Sequence, residues 1–171
     1  MLTSERLTLR PLREDDLPVL YSWRIDLSTW ALTTAVAPYP MTFEVFRERA
    51  RKIAEEAEKN VDFVAEVDGT VAGRTGLFSF EPLTRSCEVG LWFGPEHRGQ
   101  GYGREALALL TDFAFRHRNV HRVHLRTLAT NEAALRCYRA AGFTEEGRLR
   151  ESAWVDGQYV DEVLMSLLST D

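Results

Sequence analysis

The sequence predicts an α/β fold, an α+β sandwich in which about four helices pack on a mixed sheet. Three observations predict this class. Apolar residues recur at helical spacing in four segments, they alternate with polar residues in several others, and two Asp-Gly pairs join neighbouring strand patterns. With 171 residues, of which 44% are hydrophobic, the chain is long enough for one core, so we predict a single domain over residues 1–171.

The first third of the chain is predicted to be mainly helical. The predicted elements are a strand at 4–11, a helix at 13–25, an irregular stretch at 26–41 and a helix at 43–59. The stretch at 26–41 is expected to be irregular because Pro38 and Pro40 forbid a continuous helix there. Thr42 is a favoured residue type for the N-cap of the helix that follows.

The rest of the chain alternates between strand and helix patterns. The predicted elements are strands at 61–67, 71–80 and 86–93, a helix at 101–118, a strand at 121–128, a helix at 132–141 and strands at 144–152 and 159–168. Asp68-Gly69 and Asp156-Gly157 are strong signals for tight hairpin turns. Gly142 is expected to end the last helix as its C-cap.

Composition and charge narrow the possible functions. The net charge of −5 disfavours a nucleic-acid partner and suits a cationic small molecule or a basic peptide. Because no long apolar stretch occurs, neither a signal peptide nor a membrane span is expected. Cys87 and Cys137 lack CxxC spacing and are interpreted as buried thiols of a cytoplasmic protein. His121 and His124 would point to opposite faces of one strand, so no metal site is expected.

The segment GPEHRGQGYGR at residues 94–104 carries the strongest functional signal. Three glycines at alternate positions lead directly into a helix, whose first turn leaves amide groups unpaired and carries a partial positive charge. Glycine lets a ligand approach the main chain closely, and Arg98 and Arg104 add fixed charge. This combination favours a phosphate or pyrophosphate ligand, although glycines that serve only to turn the chain remain an alternative.

Two nucleotide-binding motifs fit this segment poorly. The P-loop is excluded because no GK[ST] sequence is present. Residues 101–106 satisfy the dinucleotide pattern GxGxxG/A, but about seven residues separate them from the preceding strand, and the next strand ends without an acidic residue. A dinucleotide-binding protein is therefore disfavoured.

Residues 98–103, RGQGYG, resemble the [Q/R]xxGx[G/A] pyrophosphate loop of the GCN5-related N-acetyltransferase (GNAT) superfamily. The sequence ATNEAA at 129–134, followed by Tyr138 and Gly142-Phe143, resembles the NxxA…Y…GF segment of the same superfamily. The segments SERLTLRPLREDD, CEVGLWF and VDGQYVDEVLMSLL resemble its branch that includes ribosomal-protein N-terminal acetyltransferases and many small-molecule relatives. This resemblance implies a mostly antiparallel mixed sheet in which two central parallel strands, 87–93 and 123–128, splay apart.

The resemblance also implies acetyl-CoA as co-substrate, without a metal. Main-chain groups of Trp92 and Phe93 would pair with the pantetheine arm, and Asn131 would hydrogen-bond the same arm. An N-cap role for Asn131 is compatible with this. The pyrophosphate would be bound by the residues of the loop, which are Arg98, Gly99, Gln100, Gly101, Tyr102, Gly103 and Arg104.

Tyr138 is the candidate general acid. It lies seven residues, about two helical turns, beyond Asn131, so both side chains are expected on one face. Its phenol would protonate the departing thiolate, and simple core packing is the alternative. Ala134 occupies the position nearest to a serine that the ribosomal subtype often uses, which argues for Tyr138 and against a ribosomal substrate.

Glu88 is the candidate base, because an ammonium group with a pKa near 10 must lose a proton before it can attack. A carboxylate on a half-buried strand can have a raised pKa. A structural or acceptor-binding role for Glu88 remains open, and Glu151 and Asp161 are weaker alternatives as base.

Trp30, Tyr39 and Trp154, together with Trp23, are expected to wall an acceptor pocket because aromatic rings flank amines well, with core packing as the alternative. The implied function is N-acetylation by direct attack of an amine on the thioester. The acceptor would be a small molecule such as an aminosugar, antibiotic, polyamine or amino acid derivative. Protein N-terminal acetylation and a non-catalytic CoA-binding module are the alternatives. A homodimer is suggested by the family alone.

Overall fold

The computed structural model describes residues 1–33 and 37–171, in which eight strands and five α-helices occur. The strands are β1 (Leu2–Thr3), β2 (Thr8–Arg10), β3 (Val61–Val67), β4 (Thr70–Glu81), β5 (Ser86–Phe93), β6 (Arg122–Leu128), β7 (Thr144–Val155) and β8 (Gln158–Leu168). The helices are α1 (Leu17–Arg24), α2 (Leu27–Thr33), α3 (Phe43–Glu55), α4 (Tyr102–His117) and α5 (Glu132–Ala140). All eight strands join in one sheet, in the order β1-β2-β3-β4-β5-β6-β8-β7.

The predicted fold class is confirmed, and so are both predicted tight turns. Asp68 and Gly69 both have positive φ, at 49° and 76°, and Asp156 and Gly157 repeat this geometry at 49° and 78°. Two residues with positive φ are what a type I′ hairpin turn requires, because its twist matches that of the strands it joins. β3 therefore pairs with β4, and β7 with β8, in antiparallel hairpins.

The prediction that residues 26–41 are irregular is wrong for α2. The Asp26 carboxylate accepts a hydrogen bond from the backbone N–H of Thr29 at 2.8 Å, which satisfies a free donor of the first turn. Pro38 lies five residues beyond the end of α2, too far along the chain to prevent it. Residues 34–36, which the prediction also covered, lie outside the described part of the chain.

Several other boundaries differ from the predicted ones. Of the strand predicted at 4–11, only Thr8–Arg10 is a strand (β2), because residues 4–7 turn the chain from β1 into β2. The first helix begins with a 3₁₀ turn at Glu14–Asp16, and α3 ends at Glu55 instead of Lys59. β7 extends to Val155, and two register shifts interrupt its pairing with β8.

The two faces of the sheet bury two separate apolar cores. Successive residues of a strand point to opposite faces. On β3, accordingly, Ala65 belongs to the core that includes α4 and α5, whereas Val64 belongs to the core that α1, α2 and α3 complete. On β5 Val89 faces the first core, and Trp92 packs against the second.

β5 and β6 form the parallel pair of the sheet, and their pairing is short. Within these two fully described strands, pairing joins Ser86 to Arg122, Cys87 to Val123 and Glu88 to His124, and it ends there. β5 continues five residues further, to Phe93, and β6 continues to Leu128. The two strands therefore diverge beyond Glu88, as the resemblance implied, and leave a wedge between them.

Candidate active site

A cavity of about 930 Å³ occupies the wedge between β5 and β6. Its walls come from β5 beyond Glu88, the loop that leads into α4, the end of β6 and one face of α5, and Leu32 of α2 closes part of one side. A second hollow of about 900 Å³ lies between α3 and β3, and it includes none of the predicted site residues. The wedge is therefore the candidate active site.

The glycine loop lies at the open end of the wedge. Gly99 and Gly101 have φ values of 73° and 89°, which residues with a side chain rarely adopt. Gly101 is the N-cap of α4 and gives it no side-chain cap, so the first amide groups of the helix are available to an anion. Gly103 has a different role, because a Cβ atom there would lie 3.1 Å from Sγ of Cys137. Its absence lets α4 and α5 pack closely.

The two arginines of this loop point in different directions. Arg104 lines the cavity and supplies positive charge at its open end, together with Arg136 of α5. The guanidinium of Arg98 instead turns toward the protein: Nε donates to the carbonyl of Phe93 at 2.9 Å, and Nη2 donates to Oγ1 of Thr29 at 3.0 Å. The sequence could not indicate this direction, because Thr29 lies 69 residues away on a helix that was not predicted.

Asn131 is the N-cap of α5, and its amide has two partners. Its Oδ1 accepts from the backbone N–H of Ala134 at 3.1 Å, the capping bond expected of asparagine. Its Nδ2 donates to the carbonyl of Leu32 at 3.0 Å. The side chain thus joins the start of α5 to the end of α2.

Tyr138 belongs to the main core and also lines the cavity. Only 8% of the residue is exposed, and its ring lies 6.0 Å from that of Phe143. No described residue forms a hydrogen bond with its hydroxyl group. Burial raises the pKa of the phenol above its ordinary value, so the group stays protonated at neutral pH. It can therefore act as a donor.

Glu88 lies at the closed end of the wedge and lines the cavity. It is opposite His124 in the last pair before the strands diverge. Burial lowers the pKa of His124 below its ordinary value, and the negative charge of Glu88 only partly offsets this effect. The imidazole is therefore neutral at pH 7. Glu162 of β8 is a second carboxylate of the cavity wall. Glu88 and Phe93 are five positions apart on β5, about 16 Å along the strand, so Glu88 lies at the other end of the wedge from the glycine loop.

The aromatic residues predicted for an acceptor pocket do not line this cavity. Trp30 is buried between the guanidinium of Arg24, 4.0 Å from its ring, and the ring of Tyr39 at 5.1 Å. Trp154 is 52% exposed and packs against Tyr159 at the tip of the β7–β8 hairpin. Trp23, the fourth of these residues, packs edge-on against Trp92.

Several lining residues were not anticipated from the sequence. They are Leu32, Phe78, Arg126, Arg136, Cys137 and Glu162. Helical spacing from Tyr138 does not point to Arg136 or Cys137, because only residues three or four apart share a face, and these two are two residues and one residue before it. No local sequence pattern indicates that Leu32 lines the cavity, because its position depends on how α2 packs against the rest of the protein.

Among the described residues, no group of three His, Cys, Asp or Glu side chains is arranged to hold a metal ion. His121, one of the histidines considered for such a site, has its Nδ1 2.9 Å from Oγ of Ser169. None of the described helices has both the length and the apolar character needed to cross a membrane.

Comparison with known proteins finds N-acetyltransferases as relatives of this chain. The acetyltransferase (GNAT) domain family matches residues 6–144. The chain is 28% identical over 170 residues to spermidine N(1)-acetyltransferase of Vibrio cholerae, covering 98% of this chain and 95% of that protein. The Escherichia coli enzyme that acetylates the alanine of ribosomal protein uS5 is 28% identical over 100 residues, 56% of this chain and 52% of that enzyme.

Similarity to solved structures is equally extensive. The crystal structure of spermidine N-acetyltransferase from Vibrio cholerae, in complex with CoA and spermine, superposes with a TM-score of 0.89 at 27% identity. The match covers 98% of both chains.

Proposed function

The chain belongs to the GNAT acetyltransferase family and is an acetyl-CoA-dependent N-acetyltransferase, and we propose that its acceptor is a polyamine such as spermidine. One observation carries the proposal: a wedge between two diverging strands has an anion-binding loop at one end and the Glu88 carboxylate at the other. A spermidine acetyltransferase aligns with nearly the whole chain, whereas the ribosomal-protein enzyme aligns with little more than half of it.

The residues of the wedge suit acetyl-CoA. The diphosphate would bind at the uncapped start of α4, beside Arg104 and Arg136, where both the amides and the side chains favour negative charge. Beyond Glu88, no described strand pairs with β5 on its β6 side, so the polar main-chain groups there are available to the amides of the pantetheine arm.

In the proposed reaction, the acceptor nitrogen attacks the thioester carbonyl, forming a C–N bond while the C–S bond breaks. Tyr138 donates its proton to the departing sulfur and regains one from solvent. The amine proton passes to Glu88, directly or through a water molecule, which leaves a neutral amide product. Glu88 lies at the closed end of the wedge, where a reacting amine would meet it.

Charge favours a polycation as acceptor. A second carboxylate, Glu162, lines the same cavity, and the whole chain carries a net charge of −5. The negative charge of the chain as a whole attracts a polycation and raises the rate of encounter.

The test is thiol release from acetyl-CoA in the presence of spermidine, spermine, an aminosugar and a peptide with N-terminal alanine. We expect release with the polyamines, and we expect Glu88→Gln to lower kcat/KM for spermidine. Glu81→Gln is the matched control, because Glu81 lies on β4 outside the cavity and its variant should behave as wild type. Release with the peptide or the aminosugar, and none with polyamines, would reject this acceptor.

A further inference from the structure

α2 lies across the open end of the wedge and is bonded to both sides of it. Arg98, which follows β5, donates to Oγ1 of Thr29 at 3.0 Å. Asn131, which follows β6, donates to the carbonyl of Leu32 at 3.0 Å. Thr29 and Leu32 are three residues apart, about 4.5 Å along the helix. A single turn of α2 therefore connects the ends of the two diverging strands.

The arginine and the asparagine that make these connections are each fixed by a second bond, and the connection through Arg98 is also buried. Arg98 also donates to the carbonyl of Phe93, the last residue of β5, at 2.9 Å, so its guanidinium is fixed relative to that strand. Thr29 is 1% exposed, which shields its bond to Arg98 from competing water. Asn131 is fixed by its capping bond to Ala134.

α2 belongs to the face of the sheet from which an acceptor would arrive. Residues 88 and 92 of β5 are four apart and so share a face, and Trp92 packs against the core of α1, α2 and α3. Glu88, the candidate base, is therefore on the same side as α2, whereas Tyr138 belongs to the opposite core. Leu32 of α2 lines the cavity from this side.

We propose that Arg98 is a positioning residue for the acceptor. Its side chain holds α2 across the wedge and so fixes the acceptor-side wall, while its main chain is the first part of the pyrophosphate loop. Occupation of the loop would then restrain α2, and cofactor and acceptor binding would be coupled through this one bond. The identity of the acceptor used in the test rests on the proposed function.

The test separates acceptor binding from the binding of cofactor alone. Thr29→Val removes the acceptor of the Arg98 bond with little change in shape, and we expect it to raise KM for spermidine about fivefold, the effect of one net hydrogen bond. The variant also loses a bond between the Thr29 hydroxyl and the Asp26 carboxylate. Because coupling is reciprocal, KM for acetyl-CoA at saturating spermidine should rise by a similar factor, whereas the dissociation constant of acetyl-CoA without acceptor should stay within about twofold of wild type. Thr29→Ser restores the hydroxyl group and should restore KM.

Ser28→Ala is the matched control, since Ser28 lies in the same turn and bonds the Asp26 carboxylate, as Thr29 also does, but does not bond Arg98. A fivefold rise in the dissociation constant of acetyl-CoA without acceptor, no rise in KM for spermidine, or an equal rise for Ser28→Ala would overturn the proposal.

A second measurement does not depend on the acceptor. Hydrogen exchange of the amides of residues 27–33 should slow when CoA is added to wild type and to Thr29→Ser, but not when it is added to Thr29→Val. Equal slowing in all three proteins, or none in wild type, would overturn the coupling. If wild type acetylates no polyamine, the proposed function fails, and hydrogen exchange alone decides about Arg98.

Discussion

Replacing Tyr138 with phenylalanine isolates the chemical role of one hydroxyl group. The ring can keep its place in the core beside Phe143, because the two side chains have nearly the same shape. No described residue bonds the hydroxyl, so no hydrogen bond within the protein is lost. We expect the free energy of unfolding to change by less than about 1 kcal/mol.

The size of the catalytic effect follows from proton affinities. A phenol has a pKa of about 10 and a thiol one of about 8.5, so proton transfer from Tyr138 to the departing thiolate is uphill by about 2 kcal/mol. Burial raises the pKa of Tyr138 further and makes full transfer still less favourable. We therefore expect a modest contribution from proton donation, and we expect Tyr138→Phe to lower kcat by about 10²-fold, the lower end of the range for general acids.

The assay compares kcat, the dissociation constant of acetyl-CoA and the urea midpoint of Tyr138→Phe with those of wild type. The expected result is a large fall in kcat with little change in the other two quantities. A kcat within about threefold of wild type would refute the role of Tyr138 as acid.

Two further predictions concern stability. Gly94→Ala should lower the free energy of unfolding by about 1–3 kcal/mol in urea melts, because its Cβ would lie 2.4 Å from the ring of Trp23, whereas Gly147→Ala, with open space around it, should change it little. Equal stabilities would contradict this steric argument. Arg122 lowers the pKa of Glu146 from 4.5 to about 2, so this carboxylate stabilises the fold above pH 4.5 and its contribution is lost as the pH falls toward 2. In urea melts between pH 4.5 and pH 2, the free energy of unfolding of Glu146→Gln should therefore fall less than that of wild type. The same pH dependence in both proteins would contradict the stabilising role of the Glu146 carboxylate.

The parts of the fold that depend on neighbouring residues could be predicted from the sequence. The tight turn at Asp68-Gly69 depends only on those two residues. The alternation of apolar and polar residues on either side of it predicts the two strands that the turn joins. The N-cap of α3 is also local, because Oγ1 of Thr42 accepts a hydrogen bond from the backbone N–H of Val45, only three residues away. The divergence of β5 and β6 has no local signal, and only the resemblance to a known superfamily indicated it.

The parts that depend on distant partners could not be predicted in this way. Residue type indicated that Arg98 would attract an anion, but the direction of its side chain depends on Thr29, which lies on a helix absent from the prediction. Trp154 fits an acceptor pocket by type, yet its neighbour in the structure is Tyr159 across a hairpin. Aromatic and charged residues suit several environments equally well, and tertiary packing decides among them.

The short pairing of β5 with β6 has a mechanical consequence. Three rungs of main-chain pairing join one antiparallel half of the sheet, β1 to β5, to the other, β6 to β8. A ligand that lies between the diverging strands contacts both halves of the sheet. It therefore stabilises the contact between the two halves in addition to serving as substrate. Acetyl-CoA at 100 times its dissociation constant would add about 2.7 kcal/mol to the free energy of unfolding. The melting temperature should therefore rise with the concentration of acetyl-CoA and fall when acetyl-CoA is removed.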